Sequence, residues 1–109
     1  MQKQVEDTIN LLITAFKNQF DDFHGLYLLG VFVDGKSHKD EDIELVAIFD
    51  IENKQKRELI WPIVGKIETE LDVFIDLNPI TMEELQKDED LYDEVINHGI
   101  FYSVVEQSK

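Results

Sequence analysis

Two carboxylates lie two residues apart where the most apolar strand of the sequence begins. Asp42 and Glu44 flank Ile43, and because alternate residues of a strand point to the same side, the two acids project together. Like charges in one small volume are costly unless a cation or solvent compensates them, and carboxylate oxygens suit Mg²⁺. The pattern predicts a Mg²⁺ site at Asp42 and Glu44. A solvated strand end is the alternative that it leaves open.

A Gly-Val pair precedes these acids at a defined distance. Gly30 and Val31 are followed by ten residues and then by the Asp-Ile-Glu triplet. This order resembles the minimal nucleotidyltransferases of the nucleotidyltransferase superfamily, whose signature is Gly-Ser, ten residues and Asp-x-Asp. Residues 76–78 (DLN) resemble that family's third core strand, and residues 95–102 (VINHGIFY) resemble its C-terminal sequence motif. The resemblance covers nearly the whole chain.

The resemblance implies a fold and an activity. We expect an α/β (α+β) nucleotidyltransferase-like core, with a mixed β-sheet, a β-hairpin and helices packed on the sheet, in a single domain of residues 1–109. Asp42 and Glu44 would be catalytic and hold Mg²⁺, while Gly30 and Val31 would bind the nucleotide. The implied reaction moves a nucleotidyl group from ATP to a hydroxyl of a protein or of a small acceptor.

The family's third carboxylate falls at Val73, where this chain has no acid. Asp72 is one residue away, and we expect it to complete the catalytic set only if a bulge or a shifted register turns it to the correct face. Asp76 is the other candidate. Lys36 and Lys39, in the loop between the two strands, are candidates for phosphate contact, with solvated loop lysines as the alternative.

Other departures from the family pattern weaken nucleotide binding. Val31 replaces the family's serine and offers no hydrogen bond. Phe32 and Asp34 replace basic positions, so a triphosphate would meet an apolar ring and an acid. Glu44 in place of aspartate adds a methylene, which moves a ligand oxygen in a site where Mg²⁺ demands near-ideal geometry.

Composition narrows the class of protein. The 109 residues contain no cysteine, which excludes disulfides and thiolate metal sites, and no apolar run is long enough to span a bilayer. The N-terminus lacks a basic leader, so we expect a cytoplasmic protein. A net charge of −14 argues against binding nucleic acid. The acids concentrate in residues 21–50 and 72–109, which suggests either docking to a basic partner or solubility alone.

Hydrophobic periodicity predicts the elements that position these residues. Spacings of three and four predict amphipathic helices, and apolar runs predict strands. Pro62 predicts a boundary or bend near Trp61, Thr81 begins a capping box, and Gly99 predicts a left-handed helix cap. The predicted elements in order are helix 3–20, strand 26–33, a strand through residue 49, helix 57–71, strand 72–77, a loop at 78–79, a helix from residue 81 and strand 100–104.

Two functions follow from the resemblance and its departures. The first is a protein of this fold with weakened or lost catalysis that binds a protein partner, in the manner of the antitoxins of this family that bind a HEPN-type toxin. The second is an active Mg²⁺-dependent nucleotidyltransferase. Val31, Glu44 and the displaced third acid favour the first, and the retained spacing favours the second. Association of the chain with itself is a further possibility.

Overall fold

The computed structural model describes residues 3–103, which form one four-stranded sheet with helices on both faces. The sheet order is β3-β2-β1-β4. The elements in chain order are α1 (Lys3–Gln19), β1 (Phe23–Leu29), a 3₁₀-helix (Gly30–Asp34), β2 (Ile43–Phe49), α2 (Lys54–Leu71), β3 (Ile75–Thr81), α3 (Met82–Lys87), α4 (Glu89–Asp93), a π-helix (Glu94–His98) and β4 (Ile100–Ser103).

The sheet is mixed, as the sequence predicts. β1 pairs antiparallel with β2 and with β4, whereas β2 pairs parallel with β3 through the crossover helix α2. The predicted hairpin and the predicted mixed sheet are therefore confirmed. β2, at the centre, carries the most apolar run of the chain and is buried on both faces, as expected of a strand with helices above and below it.

Alternation along β2 divides the core in two. Its odd-numbered residues, such as Leu45 and Phe49, belong to a large cluster with α1 and α2. Its even-numbered residues Val46 and Ile48 belong to a smaller cluster with Leu85 of α3. Glu44 has the even parity, so its side chain lies on the face covered by the C-terminal helices.

The two long helices begin and end close to the predicted positions. α1 confirms the helix predicted over 3–20. α2 begins three residues earlier than predicted because the Asn53 side chain accepts a hydrogen bond from the Lys56 backbone N–H at 2.8 Å and caps the helix. The boundary predicted near Trp61 is wrong, since α2 continues through Pro62 to Leu71.

Both strands that flank the predicted site differ from their predicted ranges. β1 ends at Leu29 because Gly30 adopts a φ of 74° and the chain enters the 3₁₀-helix. β3 begins at Ile75 and not at Asp72, because Asp72 ends α2 in the left-handed region at a φ of 54°. The loop predicted at 78–79 is also wrong. Pro79 lies in β3, an edge strand, where a missing N–H is tolerated.

The C-terminal segment is broken into short pieces. The capping box at Thr81 is confirmed, and Asp88 ends α3 and caps α4. The left-handed cap predicted at Gly99 is wrong, because its backbone is extended. Gly99 is needed for close packing instead, since a Cβ there would lie 2.6 Å from the Val95 carbonyl oxygen. Val104 of the predicted last strand lies outside the described residues.

In the part of the chain that the structure describes, no helix has the length and apolar composition needed to cross a lipid bilayer.

Candidate functional site

The register of β2 with its two neighbours places one acid at the centre of the candidate site. Glu44 is opposite Leu29 in the antiparallel ladder and opposite Asp76 in the parallel ladder. Side chains in register on adjacent strands point to the same face of the sheet. Glu44 and Asp76 are therefore neighbouring carboxylates on the face that carries α3, α4 and the π-helix.

Gly30 lies directly against the Glu44 carboxylate. A Cβ built on Gly30 would meet Glu44 Oε2 first and would lie 2.9 Å from Glu44 Cδ. The positive φ of 74° at Gly30 also favours glycine over other residues. The Glu44 carboxylate therefore occupies the space over the glycine.

A groove of about 640 Å³ opens from this point along β3. Its acidic lining includes Glu44, Asp76 and Glu94, the first residue of the π-helix. Arg57 and Trp61, one turn apart on α2, also line the groove, and Trp61 is 46% exposed. The groove combines several carboxylates with an accessible aromatic ring.

Arg57 is already paired within this groove. Its Nη1 donates to both carboxylate oxygens of Glu52, at 2.6 and 2.7 Å. A guanidinium group held this way has given up part of its capacity to bind a phosphate. The pair leaves the net charge of the remaining groove strongly negative.

The acidic, partly buried environment of Glu44 raises its pKa. Partial burial raises it above its ordinary value of 4.5, and the negative charges of Glu94, Asp76 and Asp42, in decreasing order, raise it further. Both causes disfavour the charged form of a carboxylate. Within residues 3–103, no ion pair of Glu44 offsets these two causes.

The other predicted acids do not join Glu44 in the groove. Asp42 precedes β2 and is exposed; its charge reaches Glu44, but its side chain does not line the groove. Asp72 lines a different cavity of about 370 Å³, together with Phe74. Asp76, the other candidate for the third acid, takes the register position opposite Glu44.

The predicted nucleotide-binding residues also do not lie together in one site. Val31 lies in the 3₁₀-helix and is 40% exposed. The Lys36 backbone N–H donates to Asp34 Oδ1 at 2.7 Å, and that bond is the largest cause of the lowered pKa of Asp34. Lys39 lines the 370 Å³ cavity with Asp72, and neither lysine lines the groove that contains Glu44.

The donor set for Mg²⁺ is partly present. Glu44 and Asp76 supply oxygen ligands from adjacent strands, which suits a cation that takes one or two carboxylates and completes its shell with water or phosphate. Within residues 3–103, however, no three acids or histidines lie close enough together to hold a metal ion. The residues fit a two-carboxylate site and do not form the expected triad. The predicted roles of Asp42, Glu44 and Asp72 stay predictions.

The sequence analysis missed Glu94 and Arg57. Glu94 is fifty residues from Glu44 in the chain, and no local spacing connects them. Arg57 lies near the start of the amphipathic helix α2, where a basic residue is ordinary. Trp61 lies beside the apolar stripe of α2, and its exposure in the groove favours an interface over the core.

No protein-family model and no curated protein matches this chain. Three solved structures are similar to it in fold. A mutant of the toxin–antitoxin pair MntA–HpeT is 22% identical, with a TM-score of 0.63 over 84% of this chain and 69% of that chain. A toxin–antitoxin structure with AMP-PNP is 22% identical, with a TM-score of 0.62 and the same coverage of 84% and 69%. A tri-AMPylated Shewanella oneidensis HEPN toxin in complex with MNT antitoxin is 17% identical, with a TM-score of 0.60 over 94% and 76%.

Proposed function

We propose that this chain, whose fold is that of the minimal nucleotidyltransferases, acts by binding a protein partner and that its nucleotidyl-transfer activity is weakened or lost. The observation that carries the proposal is the position of Glu44, whose carboxylate fills the space over Gly30. The resemblance implies that the nucleotide phosphates would bind beside that glycine. A phosphate approaching Gly30 here would meet a carboxylate.

The surroundings of Gly30 add to this repulsion. The 3₁₀-helix that follows carries Val31 and Phe32 and ends at Asp34, so its side chains supply no cation. Arg57, in the same groove as Glu44, is held by Glu52. Among the described residues, Arg57 is the only basic residue that lines the groove, so a triphosphate would meet one cation that is already paired with a carboxylate.

The distribution of charge favours a basic protein partner. Residues 72–109 contain ten acids and two lysines, and the described ones include the short acidic helices α3 and α4. Such a surface attracts a basic one over about 10 Å at 0.1 M salt and raises the rate of association. The structural neighbours include a HEPN toxin in complex with an MNT antitoxin. We propose a HEPN-type partner for this chain by analogy with that complex.

Co-purification with a HEPN-type protein tests the proposal. The tagged chain should retain such a protein through washes at about 0.1 M salt and lose it progressively at higher salt, because screening weakens attraction between exposed charges. Nucleotidyl transfer to the partner should be slow or undetectable with labelled ATP and Mg²⁺. Failure to retain any HEPN-type protein at low salt would contradict the proposed partner.

An active nucleotidyltransferase remains the second candidate, and the register of Glu44 with Asp76 favours it. These two carboxylates would hold a Mg²⁺ ion, which would supply charge stabilisation to the transferring phosphoryl group. Asp42, near Glu44, would add negative charge for that metal. Rapid labelling of a HEPN-type partner or of a small hydroxyl acceptor from ATP would replace the first proposal with this one.

A further inference from the structure

A shallow apolar groove separates α1 and α2 on their outer side. Its volume is about 300 Å³, and Leu11, Ala15 and Ile63 are among the residues that line it. Leu11 is 40% exposed, and Leu59, one turn before Ile63 on α2, is 50% exposed. The core-facing stripes of both helices are formed by other residues, so Leu11 and Leu59 are not required for the core.

The two helices run antiparallel, which turns these residues into one surface. The Gln4 side-chain amide donates to the Leu71 carbonyl at 3.0 Å and joins the start of α1 to the end of α2. On α1, residues 11, 14 and 15 lie on one side; on α2, residues 59, 63, 66 and 70 follow helical spacing along one side. We call this surface the helical face and define it by Leu11, Thr14, Ala15, Leu59, Ile63, Lys66 and Glu70.

The charge of α1 and α2 differs from that of the rest of the chain. The two helices contain six basic and five acidic residues, whereas all other positions contain four basic and nineteen acidic residues. On the helical face, Lys66 and Glu70 form an ion pair at 3.9 Å. Two copies that met through any other large surface would bring like charges together, and contact through the helical face avoids that cost.

We propose that a second copy of this chain covers the helical face in a two-fold symmetric contact. A symmetric contact places the same surface on both sides, so the exposed leucines of one copy bury those of the other. Lys66 of each copy is then available to Glu70 of its partner. The acidic surfaces of both copies remain outside, free for the protein partner. The inference goes beyond the proposed function and does not depend on it.

Sedimentation measurements on the native chain test the contact. We expect a mass of twice 12.8 kDa at concentrations of about 10–100 μM, with dissociation on dilution. Leu11→Asp and Leu59→Asp should each lower the association constant by about tenfold or more, because each buries a charge at the symmetric contact. Phe74→Asp, at a 64% exposed position outside the helical face, is the matched control and should leave association unchanged. Circular dichroism verifies that each variant is folded.

Salt and cross-linking separate this contact from partner docking. Added salt should strengthen self-association, since it screens the repulsion between the acidic parts of two copies, whereas it weakens docking to a basic protein. Because the native chain has no cysteine, Thr14→Cys should form an intermolecular disulfide faster than Phe74→Cys at equal concentration. A native chain that sediments as a monomer throughout, or a dimer that both leucine substitutions leave intact, would overturn the proposal.

Discussion

Glu44 and Asp76 stand opposite each other on parallel strands, and the Glu44 carboxylate lies against Gly30. The Glu44 side chain in β2 thus lies close to β3 and to Gly30, which are distant from it in sequence. In an active site this arrangement would require a cation. In this protein it concentrates negative charge at the point where a nucleotide phosphate would have to approach.

Removing the charge of Glu44 should stabilise the fold. The raised pKa of Glu44 means that the folded state binds a proton more tightly than the unfolded state. Stability therefore falls as the pH rises through that raised pKa, and the full penalty is present above it. We expect Glu44→Gln to raise the Tm at pH 7 by about 2–4 °C. The gain should disappear below the ordinary pKa of 4.5, where the native side chain is protonated in both states.

Thermal melts at several pH values measure this effect. Glu58→Gln, at an exposed position of α2, is the control, and its Tm difference from the native chain should be small at every pH. A Glu44→Gln variant that melts lower than the native chain at pH 7 would show that a favourable interaction of the carboxylate outweighs the repulsion.

Shortening Glu44 should admit a nucleotide better than the native chain does. Glu44→Asp withdraws the carboxylate from Gly30 and opens the space over the glycine. We expect Mg²⁺-ATP to bind the native chain with a Kd well above about 1 μM, and Glu44→Asp with Val31→Ser to bind it more tightly. Calorimetric titration gives both constants. A native Kd near or below about 1 μM would favour the active enzyme instead.

The ion pair between Asp22 and Lys56 should contribute to stability. Lys56 is largely buried, donates to the Asp22 carboxylate and lies 4.5 Å from the centre of the Phe49 ring. Partial burial would raise the pKa of Asp22, but the hydrogen bonds from Lys56 and from the Ile51 backbone N–H lower it overall. We expect Asp22→Asn to cost about 1–3 kcal/mol at pH 7, because Lys56 loses its counter-charge.

The pH dependence of that cost follows from the lowered pKa of Asp22. Stability from the pair is present above the ordinary pKa of 3.8 and is lost as the pH falls through the lower folded value. Urea titrations at pH 7 and near pH 3 measure the difference. The exposed neighbour Asp21 supplies the control Asp21→Asn, and an equal loss in both variants would refute the role of the ion pair.

The acidic residues around α4 should set the rate of partner association. Replacing Asp88, Glu89 and Asp90 with serine removes three charges, and serine at position 88 still caps α4, because serine and aspartate are both strong N-caps. We expect association with a HEPN-type partner to slow by about threefold or more at low salt and to depend less on salt. Stopped-flow kinetics at two salt concentrations give both quantities.

A control for that experiment removes equal charge elsewhere. Glu6→Gln, Asp7→Asn and Glu58→Gln take three acids from α1 and α2, outside the helical face, and these should slow association less than the serine variant does. Equal slowing would mean that net charge alone steers the partner and that the α4 region has no special part in docking.

Local patterns in the sequence were sufficient for much of the fold. The stripe of α1, the apolar run of β2 and the capping box at Thr81 each depend on residues a few positions apart, so the chain specifies them without reference to the rest of the molecule. The spacing from Gly30 to Glu44 predicted a nucleotidyltransferase-like fold, and the similar solved structures confirm that fold. Strand parity also predicted that Asp42 and Glu44 project together, but Asp42 precedes β2 and does not line the groove that contains Glu44.

The composition of the site was decided by contacts between distant segments. Asp76 rather than Asp72 faces Glu44, because Asp72 ends α2 in a left-handed conformation and the ladder fixes β3 by its pairing with β2. Glu94 reaches the groove only because the π-helix packs on β1 and Gly99 allows that close approach. The type and parity of single residues are local properties, and the sequence determined them. Strand register and helix docking depend on packing across the whole core, so only the tertiary structure could decide which carboxylates meet.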